Sequence, residues 1–182
     1  MSEDGARTGY HEAPVVELER VFARIGRERM TGLPLLNEAL RVEAVGLRRT
    51  DMGWAGILVT PWLMNLMLLP AHEVPWQPLS IGQRRRIRLP AGIFELLGGW
   101  EPELGSYQYG PMCSTMSAFA DHDAARQVAT EIADRLFDDN TAVVVARMNP
   151  SGLAWTAAPQ PADPAAARGR GASAQEIAPR RG

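Results

Sequence analysis

The amino-acid sequence predicts an α+β domain in which an antiparallel sheet of about five strands carries two amphipathic helices packed on one face. Apolar residues recur at helical spacing in two segments, 14–30 and 122–137. The segments between them are predicted strands joined by short connections, which favour an antiparallel meander. The chain has 182 residues, 46% of them hydrophobic, and this is enough to bury one sizeable core.

The first helix is predicted over 14–30 because its apolar residues share one face. These residues are Val15, Leu18, Val21, Phe22 and Ile25. The sequence Gly32-Leu33-Pro34 then favours a helix end. Segments 41–49 and 54–60 follow as strands, and the turn at 51–53 predicts that they form a hairpin.

The strand at 84–89 is predicted from alternation of charged and apolar residues. Arg84, Arg86 and Arg88 fall on one face, and Ile87 and Leu89 fall on the other, as in a strand with one solvated face. We interpret the arginines first as a solvated face and second as an anion or partner contact.

Two more strands and a helix complete the domain. The strands are predicted at 93–98 and 107–112. Asp121 is a favourable N-cap for the helix at 122–137. The run at 142–146, AVVVA, is compatible with either a short strand or continued core packing.

The predicted domain runs over 14–156, between two tails that we expect to be disordered. Residues 1–13 are polar and aperiodic, and 157–182 consist largely of Ala, Pro, Arg and Gly. The N-terminus lacks the basic start and apolar centre of a signal peptide, and no run approaches the roughly 20 apolar residues of a membrane span. We therefore expect a cytoplasmic protein without membrane insertion.

Composition and motifs exclude several classes of function. A net charge of −2 argues against nucleic-acid binding. The lone cysteine, Cys113, excludes an internal disulfide and multi-cysteine metal sites. His11, His72 and His122 lack metal-ligand spacing. We expect no catalytic, metal or cofactor site; a nucleophilic Cys113 paired with a distant histidine is the alternative, although a free cysteine is more often a small buried hydrophobe.

The stretch TPWLMNLMLLP, at 60–70, is the least ordinary part of the sequence. Pro61 and Pro70 restrict the backbone near its two ends, leaving either one to two helical turns or an extended ledge. Burial as core is the general tendency of such residues, but it would also bury the amide of Asn65. Trp and Met are favoured at adaptable binding surfaces. The residues alone do not decide whether this stretch is core or partner surface.

Several segments together resemble the HybE/HupJ family of nickel–iron hydrogenase assembly chaperones. They are RMTGLPLLNEALRVEAVGL (29–47), GILVTPWLMNLMLLP (56–70), RLPAGIFEL (88–96), ELGSY (103–107) and CSTMSAFADHDAARQVA (113–129). The resemblance covers about 14–137. It implies a non-enzymatic accessory protein that binds the small or large subunit precursor of a hydrogenase before assembly and twin-arginine export. Certain relatives carry or accompany a rubredoxin domain, which implies a rubredoxin-like accessory protein as a second partner.

The resemblance favours the partner-surface interpretation of the 60–70 stretch. The predicted partner-binding residues are Trp62, Met64, Asn65, Met67, Arg84, Arg86, Arg88 and Cys113. Trp62 is the expected anchor, and the arginines are expected to meet an acidic patch on the partner. Two alternative functions are a thiol-dependent redox or repair enzyme using Cys113 and a structural subunit of the mature hydrogenase.

Overall fold

A computed structural model describes residues 9–34 and 36–138, which form a six-stranded antiparallel sheet between two helices. In chain order the elements are α1 (Val15–Ile25) with a π-helical turn (Gly26–Met30), β1 (Glu43–Thr50), β2 (Gly53–Val59), β3 (Met64–Leu69), β4 (Arg84–Leu89), β5 (Gly92–Glu101), β6 (Gly105–Cys113), a short 3-10 turn (Met116–Ala118) and α2 (His122–Leu136). The α+β class is confirmed.

The sheet consists of two meanders that meet at its centre. Its strand order is β1-β2-β3-β6-β5-β4, so β3 pairs with β6 and the edge strands are β1 and β4. After β3, the chain crosses through 70–83 to the far edge before β4 begins. All five predicted strands are present, and the sixth is β3, inside the stretch expected to be helical or ledge-like.

Both helices form for the reasons seen in the sequence. Leu18, Val21, Phe22 and Ile25 are the buried residues of α1. The carboxylate of Asp121 accepts a hydrogen bond of 2.8 Å from the backbone N–H of Ala124, so the predicted N-cap of α2 is confirmed.

The helices lie on opposite faces of the sheet, and not together on one face as expected. Met64, Leu66 and Leu68 of β3 pack in the cluster that contains α2. Met67 and Leu69 pack in the cluster that contains α1. Successive side chains of a strand point to opposite faces of the sheet. β3 carries apolar side chains on both faces, so both faces have to be covered.

The face toward α2 is covered along its length. The helix itself packs on β1 and β2. Farther across, loop 71–83 lies against β5 and β6, and Trp76 donates a hydrogen bond of 2.8 Å to the hydroxyl of Ser106. Gly98 permits this close approach, because a Cβ there would lie 2.3 Å from the carbonyl oxygen of Ser80.

Three predictions fall outside the described residues. They concern the strand or core packing at 142–146, the tail at 157–182, and residues 1–8 of the N-terminal tail. The predicted domain limits, 14–156, therefore stay a prediction. Within the described part of the N-terminal tail, Tyr10 forms a β-bridge with Ala71, so the expected disorder is wrong there.

Candidate functional site

The 60–70 stretch forms a hairpin turn and then the central strand β3. The turn is fixed by Thr60, whose hydroxyl donates to the carbonyl of Leu63 at 2.6 Å and accepts from its N–H at 3.0 Å. After the turn, β3 pairs with β2 on one side and β6 on the other. Only the turn itself is placed at the end of the sheet, where a partner could touch it.

Three of the predicted partner-binding residues in this stretch are buried. Met64 and Met67 are both 0% exposed and point to opposite faces, and Asn65 is 3% exposed. The expected solvent-open ledge is therefore wrong for these residues. The physical reason is that neighbouring strands satisfy the backbone of β3 while a helix cluster covers each face.

Asn65 lies on the face of Met67, opposite Leu58 of β2 and Pro111 of β6. Its Oδ1 is buried and accepts no hydrogen bond from the described residues. The side chain is 3% exposed, so it forms no part of a surface ledge.

Trp62 lies in the turn and is half-buried, as are Pro61 and Leu63 beside it. Its half-buried ring packs on Gly26, where an added Cβ would lie 2.9 Å from the ring. Beside it is a groove of about 340 Å³ lined by Ala23, Gly26, Arg27, Thr31, Leu36, Glu38, Val42, Pro61 and Trp62. One wall is the π-helical turn after α1, a feature often found at functional positions in helices.

The three arginines of β4 lie as the alternation predicts. Arg84, Arg86 and Arg88 are exposed, and Ile87 and Leu89 are each 4% exposed on the other face. This prediction is confirmed. Arg84 forms an ion pair of 2.7 Å with Glu95 of β5, whereas Arg86 and Arg88 have no ionic partner among the described residues.

These arginines belong to a larger surface that neither helix of the described residues covers. Arg84 lies opposite Leu97, Leu97 opposite Tyr109, and Tyr109 opposite Met67, so one face continues from β4 to the sheet centre. Within the described part of the chain, the cluster under α1 ends at Met67 and Tyr107, with half-buried Tyr109 packed at its margin. We call the remainder the open face: Arg84, Arg86, Arg88, Ile93, Glu95, Leu97, Tyr109 and Pro111.

The open face mixes charge with exposed apolar surface. Ile93 is 48% exposed, Leu97 and Tyr109 are half-buried, and Pro111 is exposed. Apolar side chains rimmed by polar ones are typical of surfaces that meet another protein. Sequence reasoning found the arginines but missed the rest, because only the register brings β4, β5 and β6 together.

Cys113 ends β6 opposite Met64 and is 6% exposed. Burial raises the pKa of its thiol, an effect that a hydrogen bond from the backbone of Thr115 only partly offsets. A thiol held in the protonated form is a poor nucleophile. Its burial also makes direct partner contact by Cys113 incompatible with this structure, so that expectation is wrong.

A second feature missed in the sequence is a buried carboxylate beside the π-helical turn. Glu101, 4% exposed, accepts hydrogen bonds from Arg29 at 2.7 Å and Arg24 at 3.2 Å. Burial and the Glu101 charge raise the pKa of neighbouring Tyr107 to about 12. The pairs tie the turn to the sheet and span more than seventy residues of sequence, so no local pattern indicates them.

The described residues offer no grouping for metal chemistry. No three His, Cys, Asp or Glu side chains come together there in a way that could hold an ion. His122 accepts from the backbone N–H of Arg41 through Nδ1 and donates to Glu43 through Nε2, which is a structural arrangement at the start of α2. Neither helix in these ranges is long and apolar enough to cross a membrane.

Comparison with known proteins decides the family. Residues 13–181 match the family model described as NiFe-hydrogenase assembly, chaperone, HybE. The chain belongs to this HybE family of hydrogenase assembly chaperones. Its role is accordingly in hydrogenase maturation.

Individual relatives agree with the family. The chain is 37% identical over 134 residues to protein HoxT of Cupriavidus necator, covering 65% of this chain and 72% of HoxT. It is 33% identical over 126 residues to the probable rubredoxin HupJ of Rhodobacter capsulatus, covering 69% of this chain and 45% of HupJ. The solution structure of HybE from Escherichia coli has the same fold, with a TM-score of 0.61 at 17% identity, covering 78% of this chain and 90% of that one.

Proposed function

We propose that this HybE-family chain is a non-enzymatic chaperone that binds a nickel–iron hydrogenase subunit precursor in the cytoplasm, before assembly and twin-arginine export. The observation that carries the proposal is the open face, where arginines and apolar side chains stand exposed on an otherwise well-covered sheet. A holding chaperone needs such a surface and needs no reactive group. The family match supports the maturation role.

The contact surface in this proposal consists of Trp62 and the arginines of β4. Trp62 is half-buried at the β2–β3 turn and lines the groove, and tryptophan is enriched among residues that dominate binding energy. Met64, Asn65, Met67 and Cys113 contribute instead by shaping the central strands. Their burial means that substitutions there change folding before they change binding.

A rubredoxin-like protein is a second candidate partner. A relative that is one-third identical, HupJ of Rhodobacter capsulatus, is named a probable rubredoxin, and this chain spans less than half of it. The present chain has one cysteine and so does not supply the four thiolates of a rubredoxin-type iron site. In this proposal, any such iron domain acts as a separate protein beside the chaperone.

The proposal is tested by affinity capture of the tagged chain from cells that produce a nickel–iron hydrogenase. We expect a subunit precursor to co-purify with the tagged chain. We also expect the tagged chain to be absent from the assembled, active enzyme. Recovery of neither precursor contradicts the proposal. Stoichiometric recovery of the chain in the active hydrogenase would instead identify a structural subunit, and loss of maturation in a folded Cys113→Ser variant would identify a thiol enzyme.

The role of Trp62 is tested with a matched tryptophan. Trp62→Ala should weaken precursor binding by about 2 kcal/mol or more, roughly thirtyfold, as expected of a binding anchor. Trp100→Ala is the control, because Trp100 is 46% exposed and lies on the face of β5 opposite to the open face. If Trp62→Ala mainly lowers the thermal unfolding temperature and its folded fraction binds normally, Trp62 is a core residue and not an anchor.

A further inference from the structure

We propose that β4 binds an extended acidic segment of the partner as a seventh strand of the sheet, with alternate carboxylates facing Arg86 and Arg88. This inference rests on the proposed chaperone function and names the chemistry of the segment that is held. It follows from three properties of β4: an unpaired edge, an excess of positive charge and a two-sided pattern of side chains.

The outer edge of β4 has free backbone groups within the described part of the chain. β4 pairs with β5 on one side and is the last strand of the sheet on the other. Its six residues span roughly 20 Å, the length of an ordinary strand. Outward N–H and C=O groups of this kind recruit an extended peptide by forming a further ladder of backbone hydrogen bonds.

Charge selects which peptide fits. On the open face, Arg84, Arg86 and Arg88 stand beside a single acidic residue, Glu95, which is paired with Arg84. Glu95 also lies directly opposite Arg86 in the strand register, so one carboxylate faces three arginines, and Arg86 and Arg88 form no ion pair within the described residues. Side chains directly opposite in paired strands lie about 5 Å apart at Cβ, so carboxylates two residues apart in the added strand meet both arginines.

The other face of β4 selects the intervening residues. Ile87 and Leu89 alternate with the arginines and point into the cluster that contains α2. Side chains of the added strand on that face would extend the cluster past its present edge. The expected segment thus alternates Asp or Glu with Val, Ile, Leu or Ala.

The same features disfavour two other occupants. A second copy pairing β4 with β4 would place arginine rows side by side, and like charges across strands destabilise pairing. The chain beyond residue 138 carries five arginines, namely Arg147, Arg168, Arg170, Arg180 and Arg181, against three acidic residues, namely Asp139, Asp163 and Glu176. Its composition does not complement the arginines of β4.

The test uses the full chain and short overlapping peptides that cover both subunit precursors of the cognate hydrogenase. We expect the bound peptides to carry alternating acidic and apolar residues and to bind less well as salt increases. The double variant Arg86→Glu/Arg88→Glu should associate about tenfold more slowly and lose this salt dependence. Replacing the two peptide carboxylates by lysine should restore binding to the double variant.

A matched variant and a modified peptide make the test specific. Arg20→Glu/Arg49→Glu changes the net charge by the same amount at sites away from β4, since Arg20 is exposed on α1 and Arg49 is exposed on β1, at the opposite edge of the sheet. It should bind as the wild type does. N-methylation of the peptide amides that face β4 should abolish binding, whereas N-methylation of the alternate amides should not, because only the first set pairs with the edge.

Each contrary result overturns the inference in a distinct way. Capture of the whole precursor combined with unchanged peptide binding by Arg86→Glu/Arg88→Glu leaves the chaperone function standing and removes β4 as its site. Capture of no precursor removes the chaperone function itself. A dimer in sedimentation that dissociates in the double variant assigns the edge to a second copy, and equal effects of both N-methylated peptides exclude strand addition.

Discussion

Met67→Ala distinguishes a core residue of the central strand from the binding residue that the sequence suggested. Met67 is 0% exposed and packs on the α1 side with Leu18, Val21 and Phe22. The substitution removes three heavy atoms from this cluster. Its strand neighbour Gly56 has no side chain with which to fill the space.

The expected loss of stability follows from these contacts. Replacing a fully buried methionine by alanine costs about 2–5 kcal/mol, including the cavity left behind. The other strand neighbour, Tyr109, is only half-buried and can shift inward, so we expect about 3 kcal/mol. For a domain of this size, that corresponds to a decrease of roughly 10 °C in the thermal unfolding temperature.

The assay is thermal unfolding by circular dichroism, paired with precursor capture corrected for the folded fraction. Val16→Ala is the control, because Val16 is 72% exposed on α1 and should change stability by less than about 0.5 kcal/mol. Capture per folded molecule should be unchanged for Met67→Ala. An unaltered unfolding temperature together with lost capture would refute the reasoning, since it would place Met67 at a binding surface.

Three further predictions concern the pH response, the thiol and the tail. Burial favours a higher pKa for Glu43, but hydrogen bonds from His122 and Arg126 outweigh it and leave the pKa below the ordinary value. The ionised Glu43 carboxylate therefore stabilises the folded state at neutral pH. This contribution is lost as the pH falls below about 4.3, the ordinary pKa, and through the lowered pKa of the folded state. Glu43→Gln should consequently show a smaller decrease in unfolding temperature on acidification than the wild type. Cys113 should react slowly with iodoacetamide in the native protein and rapidly in denaturant, because it is buried and its pKa is raised; native labelling as fast as that of a free peptide would contradict this. Deletion of 157–182 should change the unfolding temperature by no more than a few degrees, because its composition lacks large apolar groups, and a larger drop would show that the tail packs on the domain.

The parts of the fold that could be predicted are those with a local pattern. β4 alternates charged and apolar residues, α1 repeats apolar residues at helical spacing, and Asp121 is a strong capping residue. Each signal is contained within a few neighbouring residues and has one physical interpretation. These elements accordingly appear where they were expected.

β3 escaped prediction because it has no alternation. Its sequence, MNLMLL, is buried on both faces, so periodicity does not separate a strand from a short helix there. Because β3 is buried on both faces, α1 and α2 cover opposite faces of the sheet. The apolar pattern of each helix does not indicate which face of the sheet it covers. Among the predicted binding residues of this stretch, Trp62 is the one that stays partly exposed, because it lies in the turn before the strand begins.

The candidate site depends mostly on tertiary register. Arg84, Leu97 and Tyr109 come from three strands and become one surface only when β5 pairs with both neighbours. Glu101 reaches Arg24 and Arg29 across the domain in the same way. Local sequence showed that the arginines are exposed but not which side chains accompany them.

The arginines of β4 act on two competing interactions at once. An exposed edge strand is a hazard, because its free backbone pairs with any other strand, including that of a second copy. Arg86 and Arg88 oppose pairing between like copies through repulsion, and the same charges favour a strand that carries carboxylates. Specificity in such an edge comes from the difference between a repelled and an attracted partner. An edge kept unpaired by arginines therefore does not have to be inert: under the proposed function, the residues that prevent self-association are also the ones that choose the client.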